Sequence, residues 1–365
     1  MDFDSVPMGP LPLRRRVSQP DPSSPAPDPG TVSVVIVPRE RFSAAPESLA
    51  RILSVTPAPT RIVYVEGNAP RRIRVALHAV ADERVEFVAS DTFLTPNEAR
   101  NKGFAHVRTE YTVFLDNDVW VGDDWLPPLL CCARDTGAAI VGPLYLQGPR
   151  SEPEVHMAGG LAHIEERDGR RFLRHNHRFQ GVPLVEVASR IVRTETEQVE
   201  FHGMLVESEL LRDLGGLDEG LMCTREHIDL CMSVRARGRS VFLEPASRLT
   251  YTRPPPFALY DLRYFSLRWS EDWSQRTLDH FFAKWDLDRS QIPYLITWTK
   301  KQRYRFLEPW YSNTTRWLAR RFGEERMVRL LHRTLYPLEG LANRLATRLL
   351  GGREGARSAD RRPGP

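Results

Sequence analysis

Tyr111-Thr112-Val113-Phe114-Leu115-Asp116-Asn117-Asp118 decides the fold: an apolar run stops abruptly in two carboxylates flanking an amide. Unbroken apolarity over so few residues reads as a strand buried on both faces. Two acids two residues apart at a strand end can turn toward one hard cation, and oxygen ligands of this kind suit magnesium or manganese. Beyond the carboxyl end of a strand is also where an α/β sheet builds its ligand site. Asp and Asn are ordinary turn formers as well, so the segments on either side must carry the reading further.

Working back from this stretch, Thr95-Pro96-Asn97-Glu98 opens a helix with Pro in its first turn, and Val85-Glu86-Phe87-Val88 is a short strand. Before them come a helix over 71–81, the buried strand Arg61-Ile62-Val63-Tyr64-Val65, a helix from Glu47 to Ser54, and the β-branched strand Val32-Ser33-Val34-Val35-Ile36-Val37, ended by Pro38. Strands alternating with helices predict a parallel, doubly wound half domain. Working forward, Asp123-Asp124-Trp125-Leu126 is expected to cap a helix, and Ala138-Ala139-Ile140-Val141-Gly142-Pro143 to form a strand. Residues 150–200 are polar, rich in Arg, His and Glu, and without sustained periodicity, which predicts an insertion covering a site. Ordered signals return in 201–252: Met204-Leu205-Val206, helices near Glu207 to Leu214 and Glu226 to Arg237, and the strand Ser240-Val241-Phe242-Leu243.

A chain of 365 residues that is 41% hydrophobic can bury one large core or two modest ones. Its net charge of +4 is uneven, because residues 311–365 hold twelve Arg against five carboxylates. The four cysteines, Cys131, Cys132, Cys223 and Cys231, lack the repeated pair spacing of a zinc site, and adjacent Cys131 and Cys132 do not readily bridge, so a reducing cytoplasm is the expectation. Residues 1–30 repeat Pro, Ser and Asp without an apolar stretch and read as a disordered leader rather than a secretory signal. No segment is long and apolar enough to span a bilayer.

Six segments in order resemble the landmarks of family-two glycosyltransferases of the GT-A fold: Val32 to Pro38; Val65-Glu66-Gly67; Asn97 to Gly103; Phe114 to Asp118; Gly215-Gly216-Leu217-Asp218-Glu219; and Glu226-His227-Ile228-Asp229-Leu230. Each is weak alone, and their order over residues 31–252 makes the resemblance specific. It implies an α/β, GT-A-like (Rossmann-like) fold with a mostly parallel central sheet flanked by helices. Residues 31–145 would form the nucleotide-sugar half and 146–252 the acceptor half, with a helical extension over 253–350 and a disordered tail over 351–365.

The activity implied is an inverting, hexosyl- or related glycosyltransferase reaction, moving a sugar from a nucleotide donor to a glycan, lipid-linked or small-molecule hydroxyl. The resemblance places Pro38, Glu66, Arg100, Asn101, Asp116 and Asn117 at the donor, with Glu66 on the nucleoside, and Asp116 with Asp118 on Mg2+ or Mn2+. Trp125, His156, Gly159 and Gly160 fall on the acceptor side. A metal held by carboxylates stabilises the charge gathering on a diphosphate leaving group, and a base must take the acceptor's proton.

Two positions depart from the family. The helix that usually starts Glu-Asp, with Asp as the base, here starts Glu226-His227; the candidates in order are His227, Asp229 and Glu226. The place of a His that can complete the metal site is Tyr251, a poor ligand for hard cations. The ion is then held by Asp116, Asp118, diphosphate and water alone, or His202 or His156 substitutes, or metal dependence is weakened. These departures motivate the competing reading of a catalytically impaired binding or scaffold protein. A nucleotidyltransferase is disfavoured because no Gly-rich basic loop follows the first strand.

Phe281 to Trp285 resembles a segment common near the end of such domains. Further on, Leu331, Leu335, Leu338, Leu341, Leu345 and Leu349 recur at spacings of three and four, with Pro337 placed to bend the helix. Such a basic amphipathic helix suits an anionic membrane surface, or packing against the catalytic domain or a second copy. A cytoplasmic protein, peripheral at most, is expected. Nucleic acid is not an expected partner, since no basic region is interleaved with an RNA-binding motif.

Overall fold

The computed structural model describes residues 28–251 and 257–304, together with 338, 340, 341 and 343–345. Residues 1–27 of the expected leader, the 351–365 tail, Pro254 to Pro256, Leu331, Leu335, Pro337 and Leu349 lie outside the described residues.

Strands and helices alternate through the first half as the apolar pattern predicts: β1 (Val32–Val37), α1 (Ala45–Val55), β2 (Arg61–Val65), α2 (Arg71–Val80), β3 (Val85–Val88), α3 (Pro96–Phe104) and β4 (Tyr111–Asp116). Parallel ladders join them in the spatial order β4-β1-β2-β3. Alternate residues of β1 serve opposite faces. Val34 and Ile36 enter a core with Leu49, Ile52, Ile73 and Leu77 of α1 and α2. Val35 and Val37 enter a second core with Ala99 and Phe104 of α3. Each such buried side chain contributes roughly 1.5–3 kcal/mol, which is why a run apolar on both faces settles at the centre of the sheet.

α3 begins in a complete capping box, Thr95 with Glu98, and has Pro96 in its first turn. It lies close on β1 because a Cβ at Gly103 would stand 2.4 Å from Val35 Cγ1.

The second half comprises β5 (Val119–Val121), α4 (Leu126–Thr136), β6 (Ile140–Gln147), β7 (Glu154–Met157), β8 (Gly160–Arg167), β9 (Arg170–His177), α5 (Leu184–Val187), β10 (Thr194–Thr196), β11 (Gly203–Glu207), α6 (Ser208–Asp213), α7 (Glu226–Ala236) and β12 (Val241–Tyr251). Strand β11 runs antiparallel between β4 and β6, β12 is parallel to β6, and the sheet order is β10-β12-β6-β11-β4-β1-β2-β3. The α/β architecture expected of the chain, a central sheet flanked by helices with its first half all parallel, is the one observed.

Two local expectations are corrected. The Asp123-Asp124 pair does not cap α4, whose N-cap is Trp125 without a side-chain cap bond; Asp123 pairs with Arg51 instead. Residues 150–200, read as an insertion without sustained periodicity, hold ordered elements: β7, the β8–β9 hairpin, α5 and β10. The hairpin carries few inward apolar residues, chiefly Ala162, Ile164 and Leu173, and borrows its core from Ile228 and Met232 of α7 and from the helices beyond β12. Period-two alternation is therefore faint in its own sequence.

Helices α8 (Leu262–Arg268), α9 (Glu271–Lys284) and α10 (Ile292–Tyr304) fold back on the sheet domain. Asp261, just before α8, accepts bonds from the Phe42 and Ser43 amides at 2.8 and 2.9 Å, and Tyr264 belongs to the first core. Further on, Asn343 donates to the Ser266 carbonyl at 3.1 Å. Leu338, Leu341 and Leu345 are exposed. Among the described residues no helix is long and apolar enough to cross a membrane.

Candidate active site

Register builds the site. Val37 at the end of β1 lies opposite Asp116 at the end of β4, so the loop leaving β1 passes directly over the two carboxylates. Asn117 secures that loop: its amide N–H donates to the Val37 carbonyl at 2.9 Å, its Oδ1 accepts from Arg39 N at 3.1 Å, and its Nδ2 donates to the Arg41 carbonyl at 3.2 Å. Asn117 thus supports the site through backbone.

Asp116 meets two guanidiniums and an imidazole. Its Oδ2 accepts from His202 Nδ1 at 2.7 Å and lies 3.1 Å from Arg39 Nε, while its Oδ1 is 3.5 Å from Arg100 Nη2. Asp118 is paired with Arg41 Nε at 3.4 Å. Both aspartates are buried with Arg41, Arg100 and His202, yet Asp116 Oδ1 and Asp118 Oδ1 have no hydrogen-bond partner.

Burial alone would raise the Asp116 carboxyl, but His202, Arg39 and Arg100 outweigh it and hold the group below the usual range. For Asp118 burial wins over Arg41 and Arg39, and the carboxyl is raised. The two aspartates of one motif are driven apart, a pattern common where acids take different roles.

Tyr251 stands at this site. It stacks on His202 at 5.3 Å between ring centroids, lies under the Arg39 guanidinium at 4.4 Å, and donates to Glu40 Oε2 at 3.1 Å. Trp269, after α8, donates to the other oxygen of Glu40 at 3.1 Å. A strand end, the β1 loop and the helices beyond β12 thus close one polar cluster.

Glu200, before β11, is a second hub. Its carboxylate lies 2.9 Å from His156 Nε2, 3.3 Å from His202 Nε2 and 3.6 Å from His177 Nε2. Burial opposes its charge, but the three imidazoles hold it well below the ordinary glutamate range. One ligand atom each from His156, Glu200 and His202 lies within 4.8 Å of the others, and the same holds for His175, His177 and His227.

The remaining sequence candidates sort by their contacts. Glu66, at the end of β2, is buried and faces His78 Nε2 at 3.1 Å. Pro38 packs against Gly67 and accepts from Tyr264 Oη at 3.3 Å. Arg100 lies in the cluster, over the Phe201 ring at 3.9 Å and donating to Asn97 at 3.1 Å.

Asn101 does not face a donor. Both ends of its amide grip the turn before α7, with Nδ2 donating to the Leu217 carbonyl at 2.8 Å and Oδ1 accepting from Leu217 N at 2.8 Å. Trp125 is likewise corrected: it is 0% exposed, sits in the first core and donates to Thr56 at 3.2 Å, so it has no face for a sugar. Gly159 and Gly160 serve packing, because a Cβ at Gly160 would stand 2.1 Å from the Asn176 carbonyl oxygen. His156 faces the Glu200 hub.

At the start of α7, Glu226 Oε1 and His227 Nε2 have no hydrogen-bond partner, and Glu226 is 3.9 Å from Arg268. Asp229 is held by Lys284 Nζ and Trp285 Nε1, each at 2.8 Å. Sequence reasoning missed Arg39, Arg41, Glu200, His175 and His177. The first two follow β1 directly and could have been found as cations beside the expected carboxylates; the others lie in the stretch without readable periodicity.

Residues 33–195 match the description of glycosyl transferase family 2. The chain is similar to that family over this stretch, a little under half of its length. It is 28% identical over 156 residues to the pre-mycofactocin glycosyltransferase of Mycobacterium tuberculosis, a match covering 43% of this chain. The matched stretch spans only 30% of that relative's length.

Among solved structures, a mannosyltransferase from Pyrobaculum calidifontis in complex with GDP-Man and Mn2+ aligns with TM-score 0.48 and 15% identity, over 92% of this chain and 90% of that one. GalNAc-T7 with UDP, GalNAc and Mn2+ aligns with TM-score 0.46 and 17% identity, over 74% and 56%.

Proposed function

We propose that the protein transfers a sugar from a nucleotide-sugar donor to an acceptor hydroxyl, with inversion, using a divalent cation at Asp116 and Asp118. The observation that carries this reading is the pair of buried carboxylate oxygens, Asp116 Oδ1 and Asp118 Oδ1, left without hydrogen bonds beyond the carboxyl end of β4. A buried oxygen with no partner is costly, and a hard cation satisfies it, so the residues present fit Mg2+ or Mn2+. His202, bonded to Asp116 and adjacent to Glu200 and His156, can supply the ligand that Tyr251 does not. When bound, the ion would stabilise the charge that gathers on the diphosphate as the sugar leaves.

The chain's own groups do the rest. Arg39, Arg41 and Arg100 bring three guanidiniums to the carboxylate pair and provide positive charge for a diphosphate beside the metal. Glu66, just after β2, would meet the nucleoside.

The acceptor's proton is taken at the start of α7. Burial first, with His177 and Arg225 adding to it, pushes the His227 imidazole down to about 4, so it rests neutral, and its candidacy comes from the unpartnered Nε2 rather than from its basicity. Asp229 is occupied by Lys284 and Trp285, which leaves His227 first and Glu226 second.

A panel of nucleotide-sugars, with and without Mn2+, tests this by calorimetry and by slow donor hydrolysis. Metal-dependent binding of at least one donor is expected. Asp118→Ala should weaken that binding, while His227→Ala should spare binding and lower turnover. Folded protein that binds no donor overturns the reading.

A further inference from the structure

The β8–β9 hairpin sets His175 and His177 two residues apart on one face of β9, with ring centroids 5.1 Å apart, and α7 brings His227 to them from the other side. A ring nitrogen from each of the three lies within 4.8 Å of the others. Each ring also keeps one buried nitrogen without a hydrogen-bond partner: His175 Nε2, His177 Nδ1 and His227 Nε2. A cluster of three imidazoles, each with a buried nitrogen left unpaired, is expensive unless something binds it.

We propose that His175, His177 and His227 form a second metal site, for a late first-row divalent ion such as zinc, separate from the carboxylate site of Asp116 and Asp118.

Donor chemistry separates the two sites. Imidazole nitrogens suit zinc, cobalt or nickel, whereas carboxylate oxygens suit magnesium or manganese. His177 also has the support that metal-bound imidazoles usually have: its Nε2 faces the Glu200 carboxylate at 3.6 Å, leaving the unpartnered Nδ1 for an ion.

The charges around the cluster are mixed. Arg225, at the N-cap of α7, opposes a cation, while Glu200 and Glu226 favour one. Tetrahedral bonds of about 2.0–2.1 Å put ligand nitrogens about 3.4 Å apart, so the rings close in slightly around the ion.

This inference rests on the reading of the α7 start as the acceptor side. Three protein ligands leave a fourth position, where a bound hydroxyl would become far more acidic, with a pKa near about 7 for water on zinc. His227 would then assist deprotonation through the ion, in the place where the family's carboxylate is missing.

The test uses the full chain, stripped with chelator and titrated with Co2+ and Zn2+. One equivalent should bind, with cobalt giving the visible absorption of a four-coordinate nitrogen site. X-ray absorption on the zinc-loaded wild-type protein should show an imidazole shell, a readout independent of any variant. The double change His175→Ala, His227→Ala should weaken zinc at least tenfold, while Asp118→Asn and His156→Ala retain it.

No stoichiometric binding of either ion overturns the proposal. So does binding that survives the double change or is lost with His156→Ala, and so does binding of inorganic phosphate there in place of metal. Donor binding is scored separately: its failure alongside intact zinc binding overturns the proposed function and leaves the site standing.

Discussion

The proposed donor edge and the hairpin side are built by different means. At the donor edge, strands of contiguous sequence lie parallel, and the site residues follow directly from strand ends: Arg39 and Arg41 after β1, Glu66 after β2, Asp116 to Asp118 after β4. On the hairpin side, His175 and His177 meet Glu200 and His227 only because a polar hairpin docks on α7 and α9. The first region makes its site out of topology, whereas the second needs long-range packing, and substitutions should act on the two differently.

The largest effect is expected within the donor edge and splits its two aspartates. Asp116→Ala takes the shared carboxylate away from Arg39, Arg100 and His202, which should cost about 3–5 kcal/mol along with donor binding. Asp118→Asn removes a charge that burial already disfavours, so urea unfolding should place it within about 1 kcal/mol of wild type, while Mn2+-dependent donor binding falls at least about tenfold. Equal destabilisation by the two would contradict the opposite shifts of their carboxyls.

On the hairpin side, Gly160→Ala forces a Cβ against the Asn176 carbonyl and should cost about 1–3 kcal/mol. Hydrogen exchange should show the 160–177 amides opening sooner, with those of β1 and β4 unchanged. Uniform loosening of both regions would mean the hairpin is not a separate packing unit.

The smallest effect is expected at the clasp between the regions, where Lys284 joins Asp218 and Asp229 at 2.8 Å each. Burial works against the charged forms, but mutual contact outweighs it, raising Lys284 and lowering Asp218. The Asp218 contribution is therefore complete above its unfolded value near about 3.9 and fades as pH falls through its lower folded value. That of Lys284 is complete below about 10.4 and fades as pH rises through its higher folded value. Asp229, raised chiefly by burial, offsets part of the gain. With Lys284 about one-third exposed, Lys284→Met should cost only about 1 kcal/mol between pH 5 and 9, and less at pH 3. A cost that grew on acidification would invert this sign.

Legibility followed the same division. The runs Val32 to Val37, Arg61 to Val65 and Tyr111 to Leu115 were readable because both faces of each are buried, and Thr95 to Glu98 because a capping box is local chemistry. Trp125 was misread because an aromatic near a helix start looks the same whether it faces a cleft or, as here, the core. Asn101 was misread because its partner, Leu217, is more than a hundred residues away. The β8–β9 hairpin escaped because its apolar partners belong to α7 and α9.

By itself the sequence determined the strand–helix order and the carboxylate motif, since these depend on local pattern and on neighbours in the chain. Tertiary structure alone decided what faces those carboxylates: three arginines and a histidine on one side, and a cluster of histidines gathered from the hairpin and α7 on the other. The physical reason is range. Backbone pattern acts over a few residues, whereas the charge and ligand environment of a buried group is set by side chains a hundred residues away that the fold brings within about 4 Å.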